Sequence, residues 1–128
     1  MKAITLWQPW ASLIVDGRKI IETRPMPWYY EGLVAIHAGL RVDDAAAIRF
    51  GYNPFTLPVG KVLGIVRKTG LFHFERAFEE KLYHIDEYGD FTPGRYGYPM
   101  TLVERFVNPV PAKGHQGFWD WSPIHGDR

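Results

Sequence analysis

The chain has 128 residues, 46% of them hydrophobic and 16% aromatic, with 15 basic against 14 acidic side chains and a net charge of +1. A chain this apolar can offset the entropy of ordering its backbone, which argues against disorder, and its length is that of one domain, 1–128, around one core. The lack of cysteine excludes a disulfide framework, a thiolate zinc site and a cysteine nucleophile. Near-neutrality offers no long-range steering, so any nucleic-acid affinity must come from a local basic patch.

Met1 to Leu6 show neither the long apolar run nor the small-residue cleavage site of a secretory signal, and no stretch reaches the roughly 18 apolar residues of a membrane span. The cytoplasm is therefore the expected compartment. Ala3 to Trp7 reads as a short strand. Pro9 then suits the first helical position, and Trp10, Leu13 and Ile14 fall on one helical face before Gly17, a left-handed stop. That helix delivers the chain into Ile20 to Arg24, an extended run halted by Pro25-Met26-Pro27.

Leu33 to Ala38 is a second strand, apolar enough to be buried on both faces, and Val42 to Phe50 a short helix with Asp43 and Asp44 at its positive end. After a loop marked by Asn53-Pro54 and Leu57-Pro58, Lys61 to Arg67 reads as a strand in which Gly64 marks a bulge or a tight bend. Phe74 to Asp86 carries a weak helical pattern. Thr92 to Pro99 reads as an aromatic, glycine-rich loop, Thr101 to Val107 as a strand, and Gly114 to Trp121 as a terminal run. Strands joined by short helices and Gly/Pro turns indicate an α+β domain, in the form of a small mixed barrel.

The octet Gly17-x-Lys19-x-x-Glu22-x-Arg24 resembles the signature of the ASCH domain family. Thr5-Leu6-Trp7-Gln8-Pro9-Trp10-Ala11 resembles that family's opening strand and helix, Ala35-Ile36-His37-Ala38 its next core strand, and Gly114-x-Gln116-Gly117-x-Trp119 its closing segment. The resemblance implies a small PUA-like mixed β-barrel with two or three short helices. It also implies RNA, single-stranded nucleic acid or a nucleoside or nucleotide as partner, with no cofactor.

The chemistry of the octet can be weighed apart from the family. Lys19 and Arg24 supply cationic donors and Glu22 an acceptor between them. The site could therefore meet a phosphate, carboxylate or base edge, or Glu22 could simply pair with Arg24. Strand alternation would turn Lys19 away from Glu22 and Arg24, unless Lys19 lies in the turn that follows Gly17. Trp7 and Trp28 are the candidate stacking rings, whereas Trp10 on the apolar helix face reads as core. His37 reads as an interior, hydrogen-bonded histidine with a place in a pocket. Arg95 and Tyr96 read as a lip or an inert turn, Gln8 as a polar contact, and Gln116 equally as an amide that reads a base edge or as a cap on the end of the barrel. His37, His73, His84, His115 and His125 show no metal-ligand spacing, so no metal is expected.

Hydrolysis is the alternative function. Members of the family act on acylated cytidine, with a lysine activating a threonine hydroxyl three residues on and a distant glutamate assisting; others are described as ribonucleases. Here the position three residues after Lys19 is Glu22, so catalysis would fall to a Lys19/Glu22 acid–base pair, with Thr23 expected on the other strand face. No motif selects the distant carboxylate among Glu75, Glu79 and Glu80. A protein-interaction module is a third, weaker reading, which leaves binding first and hydrolysis second.

Overall fold

The computed structural model describes residues 1–74 and 87–123. In chain order these form β1 (Lys2–Gln8), α1 (Trp10–Val15), β2 (Ile21–Arg24), β3 (Gly32–Val42), α2 (Asp44–Arg49), β4 (Lys61–Lys68), β5 (Phe72–His73), β6 (Tyr96–Pro111) and β7 (Phe118–Asp120). Apart from Phe74, the helical pattern expected over 74–86 lies outside the described residues.

The strands make one sheet in the order β2-β6-β4-β3-β1-β7, with β5 added to β6. Among the described strands only β1 and β3 run parallel, joined through α1 and β2; their register sets Thr5 beside His37. The sheet curls until its end strand β2 comes up to β1, and Arg24 at the end of β2 donates from Nη2 to the Thr5 carbonyl of β1 at 3.1 Å. The result is a half-barrel with two short helices among the described residues.

Alternation along β3 explains why both of its faces are apolar. Val34, Ile36 and Ala38 join the main core with Ile4, Leu6, Ile14 and Val66, while Ala35 joins a second cluster with Ala3, Val62, Ile65 and Trp121. Gly64 lies where the β4–β6 register slips. A Cβ there would stand 2.3 Å from the Glu104 carbonyl oxygen, so only glycine permits this approach.

Three boundaries differ from the sequence pattern. Val42 ends β3 rather than opening α2, because Asp43 caps that helix by accepting from Ala46 N at 3.0 Å. Pro9 is the N-cap residue of α1, one position before the helix. The expected loop over 92–99 ends at Arg95, and β6 runs from Tyr96 to Pro111. Gly97 is there for close packing rather than for a turn: a Cβ on it would meet Phe74 Cζ at 2.7 Å and Ile21 Cγ2 at 3.1 Å.

Candidate functional site

Helix α1 stops as the sequence requires. Gly17 takes φ 75°, and the backbone amides of Arg18 and Lys19 both donate to Leu13 O, at 3.0 and 2.9 Å. Lys19 therefore lies in the turn before β2 and points to the same side as Glu22. Lys19 is 2% exposed, and its ammonium donates to Ile21 O at 2.6 Å and lies 4.0 Å from Glu22 Oε1. Glu22, 6% exposed, uses both oxygens: Oε1 accepts from Thr23 N at 3.1 Å and Oε2 from Arg24 Nε at 3.0 Å. Lys19, Glu22 and Arg24 thus form a cation–anion–cation chain with one net positive charge, buried at Lys19 and Glu22 and partly exposed at its outer end, Arg24.

Arg24 opens into a cleft of about 530 Å³ floored by Thr5 and His37. Arg24, Arg41 and Lys113 line it, with Trp7, His115 and Gln116, and among the described residues no carboxylate does. Trp7 is 50% exposed, and the Arg41 guanidinium lies 5.2 Å from its ring centroid.

A directed hydrogen-bond chain fixes the floor. Trp119 Nε1 donates to Thr5 Oγ1 at 3.0 Å, and Thr5 Oγ1 lies 3.1 Å from His37 Nδ1. His37 Nε2 lies 2.7 Å from the Ala112 carbonyl, which can only accept. The proton therefore sits on Nε2, and Nδ1 accepts from the threonine hydroxyl. Burial lowers the His37 pKa against the opposing pull of the Ala112 carbonyl, and His115 adds to the lowering. The same chain anchors the strip 112–117, whose Ala112 N also donates to Gly60 O at 3.0 Å. Gly114 sits on the floor so tightly that a Cβ would come within 2.6 Å of His37 Cε1 and 2.8 Å of Thr5 Oγ1.

On the other side of the octet is a recess of about 360 Å³, bordered by Lys19, Glu22, Thr23, Asp90, Arg95 and Trp10 among others. Arg95 closes it by donating from Nη2 to Thr23 O at 3.1 Å and pairing with Asp90 at 3.5 Å. Trp10 is half-buried rather than enclosed in the core, and its Nε1 donates to Tyr88 O at 3.2 Å. Thr23, expected on the opposite strand face, borders this recess together with Lys19 and Glu22.

The residues singled out in the sequence therefore separate. Trp7, Arg24, His37 and Gln116 meet in the cleft, and Lys19, Glu22 and Arg95 in the recess. Gln8 belongs to neither. It is completely buried, its Oε1 accepts from Ser12 N at 3.0 Å, and its Nε2 donates to Ser12 Oγ and Pro58 O. Trp28 is stacked on Phe118, with centroids 3.9 Å apart, and on Tyr30, against the core. Tyr96 stacks on His73 at 4.8 Å. Sequence reasoning missed Thr5, Arg41, Lys113 and Gly114. Only Thr5 and Gly114 left a signal, each as an unweighted member of a family-like block. Glu75, Glu79 and Glu80 lie outside the described residues. Among the described residues no group of three His, Asp or Glu is placed to hold a metal, and no helix is long and apolar enough to cross a membrane.

The curled α+β half-barrel, with the octet at the seam between β2 and β1, is the PUA-like fold of ASCH domain proteins. The chain is similar to the crystal structure of ASCH from Zymomonas mobilis, at 16% identity and TM-score 0.65, over 98% of this chain and 90% of that one. It is also similar to two ZmASCH mutants from the same organism, one serine-to-alanine and one tyrosine-to-phenylalanine. Each gives 17% identity and TM-score 0.55 over 86% of this chain, and 72% and 74% of theirs. No protein-family model and no curated protein matches the sequence.

Proposed function

We propose that the chain is a member of the ASCH family that binds RNA or a nucleotide, with the phosphate among Arg24, Arg41 and Lys113 and a base on Trp7. The observation that carries this reading is the segregation of charge. A protein of net charge +1 gathers three cations and no described carboxylate around one cleft beside a half-exposed indole. Guanidinium groups and an accessible ring are what a phosphate and an unstacked base require, and stacking alone contributes about 1–3 kcal/mol per base.

The test is titration of tryptophan fluorescence with short single-stranded RNAs and with mononucleotides at low salt. Quenching should vanish in Trp7→Ala, and RNA affinity should fall with log salt at a shallow slope, from about −0.7 where the three cations share one phosphate to about −2 where each meets its own. Wild-type protein that responds to no oligonucleotide or nucleotide at low salt removes the proposal.

A second reading, hydrolysis of a modified cytidine or of RNA, draws on the common border of Lys19, Glu22 and Thr23 with one recess. The hydroxyl expected to be out of reach stands on the same opening as the lysine. Incubation with acetylcytidine and with RNA, comparing wild type with Lys19→Ala, Glu22→Ala and Thr23→Ala, tests it. Turnover unaffected by all three substitutions rejects the recess as a catalytic site.

A further inference from the structure

Glu22 stands at the centre of the octet, and each of its carboxylate oxygens already has a partner. Oε1 is held by Thr23 N and approached by Lys19, and Oε2 is held by Arg24 Nε. Arg24 in turn has Nε on Glu22 and Nη2 on the Thr5 carbonyl, so two points of the planar guanidinium are fastened, one to its own strand and one to β1. Among the described residues Nη1 has no partner, and it belongs to a side chain that lines the cleft. We propose that Glu22 is a positioning residue, which fixes Arg24 so that the remaining edge of its guanidinium is presented to an anionic group in the cleft.

The inference rests on the binding reading above and makes Glu22 its orienting group rather than an acid or base. Lys19 completes the device. A lone carboxylate behind Arg24 would cancel the charge offered to a ligand, whereas the Lys19 ammonium 4.0 Å behind Glu22 returns the chain to one net positive charge. The ligand class that follows is a phosphate-bearing one, since a fixed guanidinium edge rewards an oxyanion over a neutral nucleoside.

Electrostatics and positioning predict opposite signs for Glu22→Gln, which makes the proposal testable. Removing a negative charge next to an anion site would by itself raise affinity. The amide, however, has one acceptor oxygen where the carboxylate has two, so it can serve Thr23 N or Arg24 Nε but not both. If Glu22 positions Arg24, Glu22→Gln weakens binding of a phosphorylated single-stranded RNA by about 5- to 10-fold, the cost of ordering one freed side chain. Binding of the unphosphorylated nucleoside stays as in wild type.

Arg24→Ala should weaken RNA binding by about 10-fold or more, and adding Glu22→Gln to it should cost nothing further, since there is no guanidinium left to orient. All measurements are made below the melting temperature of each variant. Unchanged or tighter RNA binding by Glu22→Gln overturns the proposal, as do losses that multiply in the double variant. Should wild type bind no RNA or nucleotide, it is the binding reading that falls. The positioning claim is then read from the Arg24 Nε–H signal in proton–nitrogen NMR. That signal must be sharp and protected in wild type and lost in Glu22→Gln; its persistence in the variant overturns the claim.

Discussion

Replacing Gly114 by alanine adds one methyl group, and the structure says what it must hit. Gly114 has no positive φ, so its backbone accepts alanine without strain, and the stiffer unfolded chain by itself would stabilise by about 0.4–1 kcal/mol. Against that, the new Cβ would lie 2.6 and 2.7 Å from His37 Cε1 and Nδ1 and 2.8 Å from Thr5 Oγ1, well inside van der Waals contact. Overpacking of this kind costs about 1–3 kcal/mol, and prying Thr5 from His37 leaves a hydrogen bond unmade for about 1 kcal/mol more. The balance is a net loss of about 2–3 kcal/mol, or roughly 6–15 °C in Tm for a chain of this size. Thermal and urea denaturation of Gly114→Ala measures it. His37→Ala removes the atoms that are struck, so in that background Gly114→Ala should cost about 1 kcal/mol or less. An equal loss with and without His37 would refute the assignment of Gly114 to the cleft floor, and so would a wild-type Tm for the single variant.

His37 is neutral in the fold and its pKa is lowered, mainly by burial, so the unfolded chain takes up the proton first. Its contribution to stability is complete above the unfolded value near 6.5 and is lost as pH falls below it; a urea midpoint whose acid-side decline is the same in wild type and His37→Phe would contradict this. Lys68 is 1% exposed and its pKa is depressed by desolvation; its ammonium has Gly70 O at 2.7 Å and the Tyr98 and Trp28 rings at 5.2 and 5.7 Å. Lys68→Met should raise stability by about 1–2 kcal/mol, because a thioether fills the space without a buried charge; a drop in Tm as large as that of Lys68→Ala would contradict it. Gly64→Ala should cost about 3 kcal/mol or more by pushing β4 off the Glu104 carbonyl, and a urea midpoint within error of wild type would show that the β4–β6 bulge relaxes freely.

Local chemistry made much of the fold readable. Gly17 announced the end of α1, and the same stop explains why Lys19 escapes strand alternation; Gly64 announced the bulge. What the sequence hid depends on pairing across distance. Thr5 and His37 become neighbours only through the parallel β1–β3 register, and Lys113 reaches the cleft only because His37 and Gly60 hold Ala112. No local pattern carries that. Gln8 was misread for a related reason. Beside an exposed Trp7 it has the look of a surface contact, but its carbonyl serves an amide in the first turn of α1 that would otherwise lack a partner. Trp28 sits in a proline-flanked loop that suggested exposure, and only Phe118, far along the chain, shows that its face is taken.

The octet separates the cleft from the recess, and this bears on what the protein can bind. A chain of net charge +1 cannot draw a duplex from a distance, and three cations in a cleft of about 530 Å³ fall short of the six to ten phosphate contacts that make duplex binding strong. That volume lies within the roughly 300–1,000 Å³ of small-ligand pockets. Affinity must then come from fixed geometry rather than from charge count, which is what a guanidinium pinned at two nitrogens and a loop pinned by His37 provide. A shallow salt slope combined with a large penalty for loosening Arg24 is the signature that separates this arrangement from a general polyanion surface, on which losing one hydrogen bond behind one arginine would barely register.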